Sequence, residues 1–270
     1  MSQVDVLIGE GAVLLELRDG VGLLQLNRPE ASNGLDIPTL QALHEALVRC
    51  HGEPRLRVLL LTGAGANFCA GGDVWTFLTK GESLPEYIRQ ATLLLQHVIS
   101  ALIHLDAPVV AAVQGYAAGG GGMGLVCAAD VVFAAESASF LAGATRVAMA
   151  PDAGLSVTLP RLVGPRKAAD MLFMNPVMTA TDALACGLVN RVVADSGLQS
   201  DALEYAQRMA QGAPRALAAT KRLLWAGIAL GVDAAMPEES RTVAALCRTA
   251  DVREGLMAVV EKRRARFEGR

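Results

Sequence analysis

Two glycine-bearing segments constrain this chain more than anything else in it. They are Phe68-Cys69-Ala70-Gly71-Gly72-Asp73 and Gly115-Tyr116-Ala117-Ala118-Gly119-Gly120-Gly121-Gly122-Met123-Gly124. Each follows an apolar run that reads as a buried strand, Val58 to Thr62 and Pro108 to Val113. A strand that runs into a turn without side chains leaves backbone N–H groups pointing into open space. N–H groups from two such turns can converge on one oxygen and stabilise negative charge there. That is commonly the largest single contribution to catalysis at an acyl group.

Composition narrows the possibilities. The chain has 270 residues, 52% hydrophobic and 19% charged, enough for a large core and an appendage. With 24 Lys and Arg against 27 Asp and Glu, the formal charge is −3 and nucleic acid is not an expected partner. The positive mean hydropathy points to surface buried in an oligomer. Five scattered cysteines form no CxxC pair and no cysteine–histidine cluster, so no metal site is expected. Their odd number, and an N-terminus Met1-Ser2-Gln3-Val4-Asp5 without a signal pattern, read as reduced thiols in a cytoplasmic protein. No apolar stretch is long enough to read as a membrane helix.

Strands and helices alternate over the first part of the chain, which predicts an α/β fold. Val13 to Arg18, Asp19-Gly20 and Val21 to Leu26 read as a hairpin with a type I′ turn. Asp36 caps an expected helix bearing Leu40, Leu43 and Leu47. A longer helix begins near Ser83 and Pro85, and strands are expected at Val131 to Ala134 and Val189 to Val193. A short helix falls between Thr181 and Gly187. After Leu198 the pattern is helical throughout, broken at Gly212–Pro214, Gly231 and Thr249–Asp251. The expected division is a core over 1–197 and a helical region over 198–270.

Gly119-x-Gly121-x-x-Gly124 also matches the dinucleotide fingerprint. That reading requires a full crossover helix and an acidic residue about 20 positions on. Glu136 comes too soon, and the space before Val131 is too short. Close backbone packing is the other ordinary use of such glycines.

Taken together, the motifs resemble the enoyl-CoA hydratase/isomerase (crotonase) superfamily. The matching pieces are Leu26-Asn27-Arg28-Pro29-Glu30, the two glycine segments, Pro151-Asp152-Ala153-Gly154, Leu159-Pro160-Arg161, Ala185-Cys186-Gly187-Leu188-Val189 and Glu261-Lys262-Arg263. They run in family order from about Val13 to Phe267. The resemblance implies a spiral of ββα units with a C-terminal helical trimerisation region, assembled as a homotrimer or a hexamer of two trimers. It implies an acyl-CoA thioester substrate, with coenzyme A part of that substrate and no permanently bound cofactor. It gives the oxyanion N–H groups to Gly72 and to the second glycine run. That run is one residue longer than usual: counting from Met123 selects Gly121, counting from Tyr116 selects Gly120, and Gly121 is preferred because it keeps the following helix at its usual length. The resemblance also places Arg28, Ala70, Asp73, Val74 and Lys262 around the coenzyme, with Lys262 reaching in from a neighbouring subunit. Val259 stands where relatives often carry an aromatic ring.

Hydratases of this family hold water with two glutamates. Their positions here are Gly124 and Ala144, neither of which can move a proton. Asp152 falls where isomerases and dehalogenases of the family carry a catalytic aspartate. Alternatively it caps the next helix. Asp73 suits a cap better than a base. Trp75, Phe77 and Leu78 are expected to wall the acyl pocket. The four histidines lack a serine or cysteine partner at a motif position, so a histidine triad is not expected. The expected activity is isomerisation of an enoyl-CoA, of double-bond or ring-epoxide type, through a thioester enolate with Asp152 as proton shuttle. The alternatives are a dehalogenase or hydrolase with Asp152 as nucleophile, an enoyl-CoA hydratase in name only, and a CoA-binding trimer without activity.

Overall fold

The computed structural model describes residues 4–270; Met1, Ser2 and Gln3, part of the N-terminal stretch read above, lie outside them. The hairpin forms as expected, β2 (Val13–Arg18) against β3 (Val21–Leu26), with Asp19 and Gly20 both at positive φ as a type I′ turn needs. A further edge strand, preceding these as β1 (Val4–Ile8), pairs antiparallel with β2. No strand is expected there from the sequence; Val4 and Val6 are exposed.

From β3 onward the sheet is parallel. Asp36 accepts the Thr39 N–H and starts α1 (Ile37–Gly52), which returns the chain to β4 (Val58–Gly63). After the first glycine turn come α2 (Val74–Leu78) and the long α3 (Leu84–His104), then β5 (Val109–Val113). The second turn contains β6 (Tyr116–Ala118) and opens α4 (Gly119–Ala128), which leads to β7 (Val131–Ala135). The chain continues through β8 (Ser139–Leu141), α5 (Leu155–Val163), α6 (Pro165–Met174), β9 (Met178–Thr179), α7 (Ala180–Ala185) and β10 (Arg191–Val193). Four helices end it: α8 (Leu198–Ala210), α9 (Pro214–Gly227), α10 (Val232–Leu246) and α11 (Ala250–Val260).

The main sheet runs β1-β2-β3-β4-β5-β7-β10, and a small sheet β6-β8-β9 stands beside it. The parallel strands follow one another in chain order, so the sheet winds in one direction. It has no reversal of strand order, the feature that creates a dinucleotide crevice. Every residue of β4 and β5 is buried, as expected for strands covered on both faces. Leu40, Leu43 and Leu47 of α1 and Leu95, Val98 and Leu102 of α3 belong to this core.

Two local expectations change, and two helices add to them. The helix near Thr181 starts earlier, because Thr179 and Asp182 form a reciprocal capping box. The last strand begins at Arg191, since Leu188 and Val189 donate back to Ala183 at the end of α7. The helices α5 and α6 were masked by Pro160 inside the first and Pro165 opening the second.

The expected boundary at 197/198 falls at the start of α8. Leu198, Ala202, Ala206 and Ala210 of that helix join the sheet's core, so the helices clear of the sheet begin with α9. One buried ion pair docks α9. Lys221 Nζ lies 2.9 Å from Asp130 Oδ2 and donates to the Leu102 and Ala107 carbonyls, while Trp225 Nε1 donates to Asp130 Oδ1. Burial pulls the Lys221 pKa below its usual value, against the pull of Asp130. Removing one member leaves an uncompensated buried charge. Lys221→Ala is expected to lower unfolding free energy by about 3–5 kcal/mol, read by denaturant titration.

Candidate functional site

The two glycine turns form one structure. Cys69 N donates to Tyr116 O at 3.0 Å, Ala118 N to Cys69 O at 2.9 Å and Phe68 N to Gln114 O at 2.8 Å. Asn67 Oδ1 accepts the Tyr116 N–H at 3.0 Å. Gly71, at φ +92°, allows this closeness: a β-carbon there would lie 2.6 Å from the Ala118 carbonyl oxygen.

Gly72 is held from the other side by Leu35. Leu35 N donates to Gly71 O at 2.7 Å and Asp73 N donates to Leu35 O at 3.4 Å. This parallel bridge uses the groups flanking Gly72 and leaves the N–H of Gly72 itself out of the pairing. Across the gap, α4 begins at Gly119 with Ala118 as its N-cap and no capping side chain. The N–H groups of its first turn therefore lack intrahelical partners, and the positive end of the helix faces the same space.

Gly72, Gly120 and Gly121 all line a cavity of about 280 Å³. Gly121 sits against the first turn: a β-carbon on it would be 3.3 Å from Gly71 Cα and 2.6 Å from Leu35 Cδ1. Gly120 faces elsewhere. A β-carbon on it would overlap Asp152 Oδ1 and lie 2.6 Å from Asp152 Cγ. The carboxyl of Asp152 thus occupies the place a side chain at 120 would fill.

Asp152 lies in the loop before α5 and lines the cavity. Its capping alternative is overturned. The N-cap of α5 is Gly154, at φ +76°, and no side chain caps the helix. Burial raises the Asp152 pKa above the usual carboxylate value. Asp73 behaves oppositely. It is the N-cap of α2, accepting the Thr76 N–H at 3.1 Å, and lies 3.5 Å from Arg28 Nη2. Its burial is outweighed by the Thr76 bonds and the Arg28 charge, so its pKa is lowered. The two carboxyls are therefore pushed in opposite directions by their surroundings, the kind of contrast that accompanies a division between acid–base and structural carboxylates.

Gly124 is buried beneath the Asp152 loop. A β-carbon there would be 2.5 Å from Ala153 Cβ and 3.4 Å from Ile99 Cδ1. Ala144 lines the cavity. Asp152 is the only carboxylate among the described residues lining it, and none of the four histidines does so. Cys69, in the first turn, is fully buried, with its thiol pushed up to about 12.

The remaining sequence candidates divide. Ala70, Val74 and Phe77 line the cavity. Trp75 and Leu78 do not; they are 81% and 70% exposed, because α2 turns only one edge inward. Arg28 and Lys262 lie outside the lining residues. Arg28 is engaged by Gly34, Asp36, Thr39 and Asp73. Lys262 sits at φ +52° in the turn after α11. The far wall is Ile88, Ala91, Thr92 and Leu95 of α3, whose helical spacing read only as core. Arg146 was also missed; it lines the cavity and donates to the Asn175 carbonyl at 2.5 Å. No motif marked either.

A larger recess, about 720 Å³, lies at the opposite ends of the strands, beside Asp19, Arg57 and Asp106. The glycine-lined cavity instead sits beyond the carboxyl ends of β4 and β5, where α/β sheets bind ligands.

Two glycine turns thus open on one cavity that also holds one buried carboxylate, Asp152. The chain belongs to the enoyl-CoA hydratase/isomerase family, whose model matches residues 16–270. It is an acyl-CoA enzyme of the crotonase superfamily. A Rhodobacter capsulatus protein named "Probable enoyl-CoA hydratase" is 36% identical over 255 residues, 94% of this chain and 97% of that protein. The (E)-benzylidenesuccinyl-CoA hydratase of Thauera aromatica is 35% identical over 261 residues, 95% of this chain and 99% of that one. The crystal structure of an enoyl-CoA hydratase from Polaromonas superposes with a TM-score of 0.91 at 30% identity, covering 96% of this chain and all (100%) of that one.

Two outcomes are expected. Gly120→Ala displaces the Asp152 carboxyl without touching the Gly72 turn, and kcat should fall about 100-fold with the fold retained by circular dichroism. The second concerns stability. Burial makes the folded chain keep the Asp152 proton at pH values where the unfolded chain has lost it. Stability from this group therefore declines as pH rises from the ordinary aspartate value, about 3.9, through the folded one. Asp152→Asn should be more stable than the parent at pH 7, with the difference shrinking as pH is lowered; denaturant midpoints at several pH values check it.

Proposed function

We propose that this enzyme isomerises an enoyl-CoA, of double-bond or ring-epoxide type, through a thioester enolate, with Asp152 as a single proton shuttle. The observation that carries the reading is that Asp152 is the one carboxylate among the described residues lining the cavity. The two positions where the resemblance puts hydratase glutamates are Ala144, in the lining, and Gly124, buried beneath the Asp152 loop. In the double-bond case, the Asp152 carboxylate takes a proton from the carbon α to the thioester. The bonding electrons delocalise onto the thioester oxygen. The Gly72 and Gly121 N–H groups hold that charge, each worth roughly 3–4 kcal/mol by comparison with similar donors. Protonated Asp152 then returns its proton two carbons along the chain, and the double bond shifts. A raised pKa suits a group that must be base and acid in turn. Gly121 is taken over Gly120 as donor because it adjoins the first turn, whereas Gly120 makes room for the carboxyl.

Around this centre, the Ala70 carbonyl and Val74 meet the coenzyme, and Lys262 of a neighbouring subunit completes the phosphate site. The helices α9 to α11 supply the trimer or hexamer contacts. Their support is a set of large exposed apolar side chains, among them Leu224, Val232, Val243, Leu256 and Val259. Among the described residues no helix is long and apolar enough to cross a membrane. Five free cysteines suit a cytoplasmic setting.

The two relatives are named hydratases, and hydration is the rival outcome. A panel of enoyl-CoA thioesters incubated in deuterated water and read by mass spectrometry separates them. Isomerisation places deuterium on the acyl chain without adding the mass of water. Asp152→Asn should lower that exchange about 100- to 10,000-fold. A product heavier by one water, or a trapped acyl-enzyme, overturns the isomerase reading.

A further inference from the structure

Arg28 is a basic residue whose side chain turns inward. Its Nη1 donates to the Gly34 carbonyl at 2.8 Å and to Thr39 Oγ1 at 3.1 Å, and lies 3.0 Å from Asp36 Oδ2. Its Nη2 lies 3.5 Å from Asp73 Oδ2. Asp36 caps α1 and Asp73 caps α2. The guanidinium therefore joins the starts of two helices. Its backbone N–H is also engaged, donating to Asn33 Oδ1 at 2.8 Å, while buried Asn33 donates from Nδ2 to the Ala64 and Asn67 carbonyls.

Two of these contacts, with the Gly34 carbonyl and with Asp73, adjoin the segments that flank Gly72. Asn33 and Gly34 carry Leu35, whose backbone brackets Gly72 through Gly71 and Asp73. The Gly71 carbonyl shares one peptide plane with the Gly72 N–H, so the bond it accepts from Leu35 N orients that N–H, and Asp73 N, donating to Leu35 O, fixes the peptide that follows. One cation facing two carboxylates leaves a local charge of about −1, which disfavours a second, phosphate anion at that place. We propose that Arg28 is a positioning residue for the Gly72 N–H, bracing both sides of the first oxyanion turn, rather than a ligand for the phosphates of coenzyme A. The planar fork of arginine reaches two acceptors in fixed geometry, which a lysine ammonium does not.

This inference rests on Gly72 being an oxyanion donor, and the test separates the two. The probe is 3-oxobutyryl thioester, as its CoA ester and as its pantetheine ester, which lacks the nucleotide phosphates. Its enolate absorbs in the near ultraviolet, so the enolate-to-keto ratio of the bound probe reports the oxyanion donors directly, independent of Asp152 turnover. Arg28→Ala should lower that ratio about 10- to 100-fold for both esters, with the affinity of the keto form within threefold of the parent. Asp73→Asn keeps an oxygen for the Thr76 N–H and loses the ion pair. It should move the ratio the same way, and its effect should not add to that of Arg28→Ala. This second variant decides the matter if Arg28→Ala does not fold. Weakened binding of the CoA ester alone, with the pantetheine ester unchanged, assigns Arg28 to phosphate and overturns the proposal. An unchanged ratio in Asp73→Asn, or additive effects, overturns it as well. A parent enzyme that does not favour the bound enolate overturns the Gly72 reading and this one together.

Discussion

The short backbone pairing between Phe68–Cys69 and Gln114–Ala118 is the constraint on which the site depends. These hydrogen bonds are made outside the main sheet, beyond the ends of β4 and β5. They carry strand register past the point where the strands stop and fix one glycine turn relative to the other. An oxyanion pair works only if its donors are placed before the charge forms. For the proposed Gly72 and Gly121 donors that placement comes from a backbone ladder rather than from mobile side chains. Leu35 extends the same pairing to a third segment, so three stretches distant in sequence meet around Gly72.

Electrostatics then divides labour between two aspartates. Asp73 is tied down by a cap and a guanidinium and stays ionised. Asp152 has neither cap nor cation and is kept partly dry, so its proton is held more firmly. Chemically identical side chains thus become structure in one place and, in the proposed mechanism, reactivity in the other. The difference lies wholly in what each carboxyl touches.

Much of this was legible in the sequence. The Asp19-Gly20 hairpin, the Asp36 cap and the breaks between the terminal helices all come from local chemistry, and local chemistry is what a sequence displays. The glycine turns were legible as side-chain-free segments following two buried strands, and Gly71 makes the close approach such a residue permits; Asp152 was singled out by its place in the ordered motifs. The cavity wall was not. Ile88, Ala91, Thr92 and Leu95 follow helical spacing whether they face a core or a substrate. Trp75 and Leu78 looked like wall because they are apolar and follow the turn, yet α2 is too short to bury more than one edge. Arg28 was visible as a cation but its direction was not, since that depends on two carboxylates brought close only by the fold.

The contact between Gly124 and Ala153 bears on how this active site could have changed over time. The methyl of Ala153 fills the space above Gly124, and it belongs to the residue next to Asp152. A glutamate introduced at 124 would meet that methyl at once, and clearing it means moving the loop that aims Asp152. Water-holding and aspartate-based chemistry therefore compete for one volume. A glutamate at 124 thus requires a second change, in the loop that carries Ala153 and Asp152.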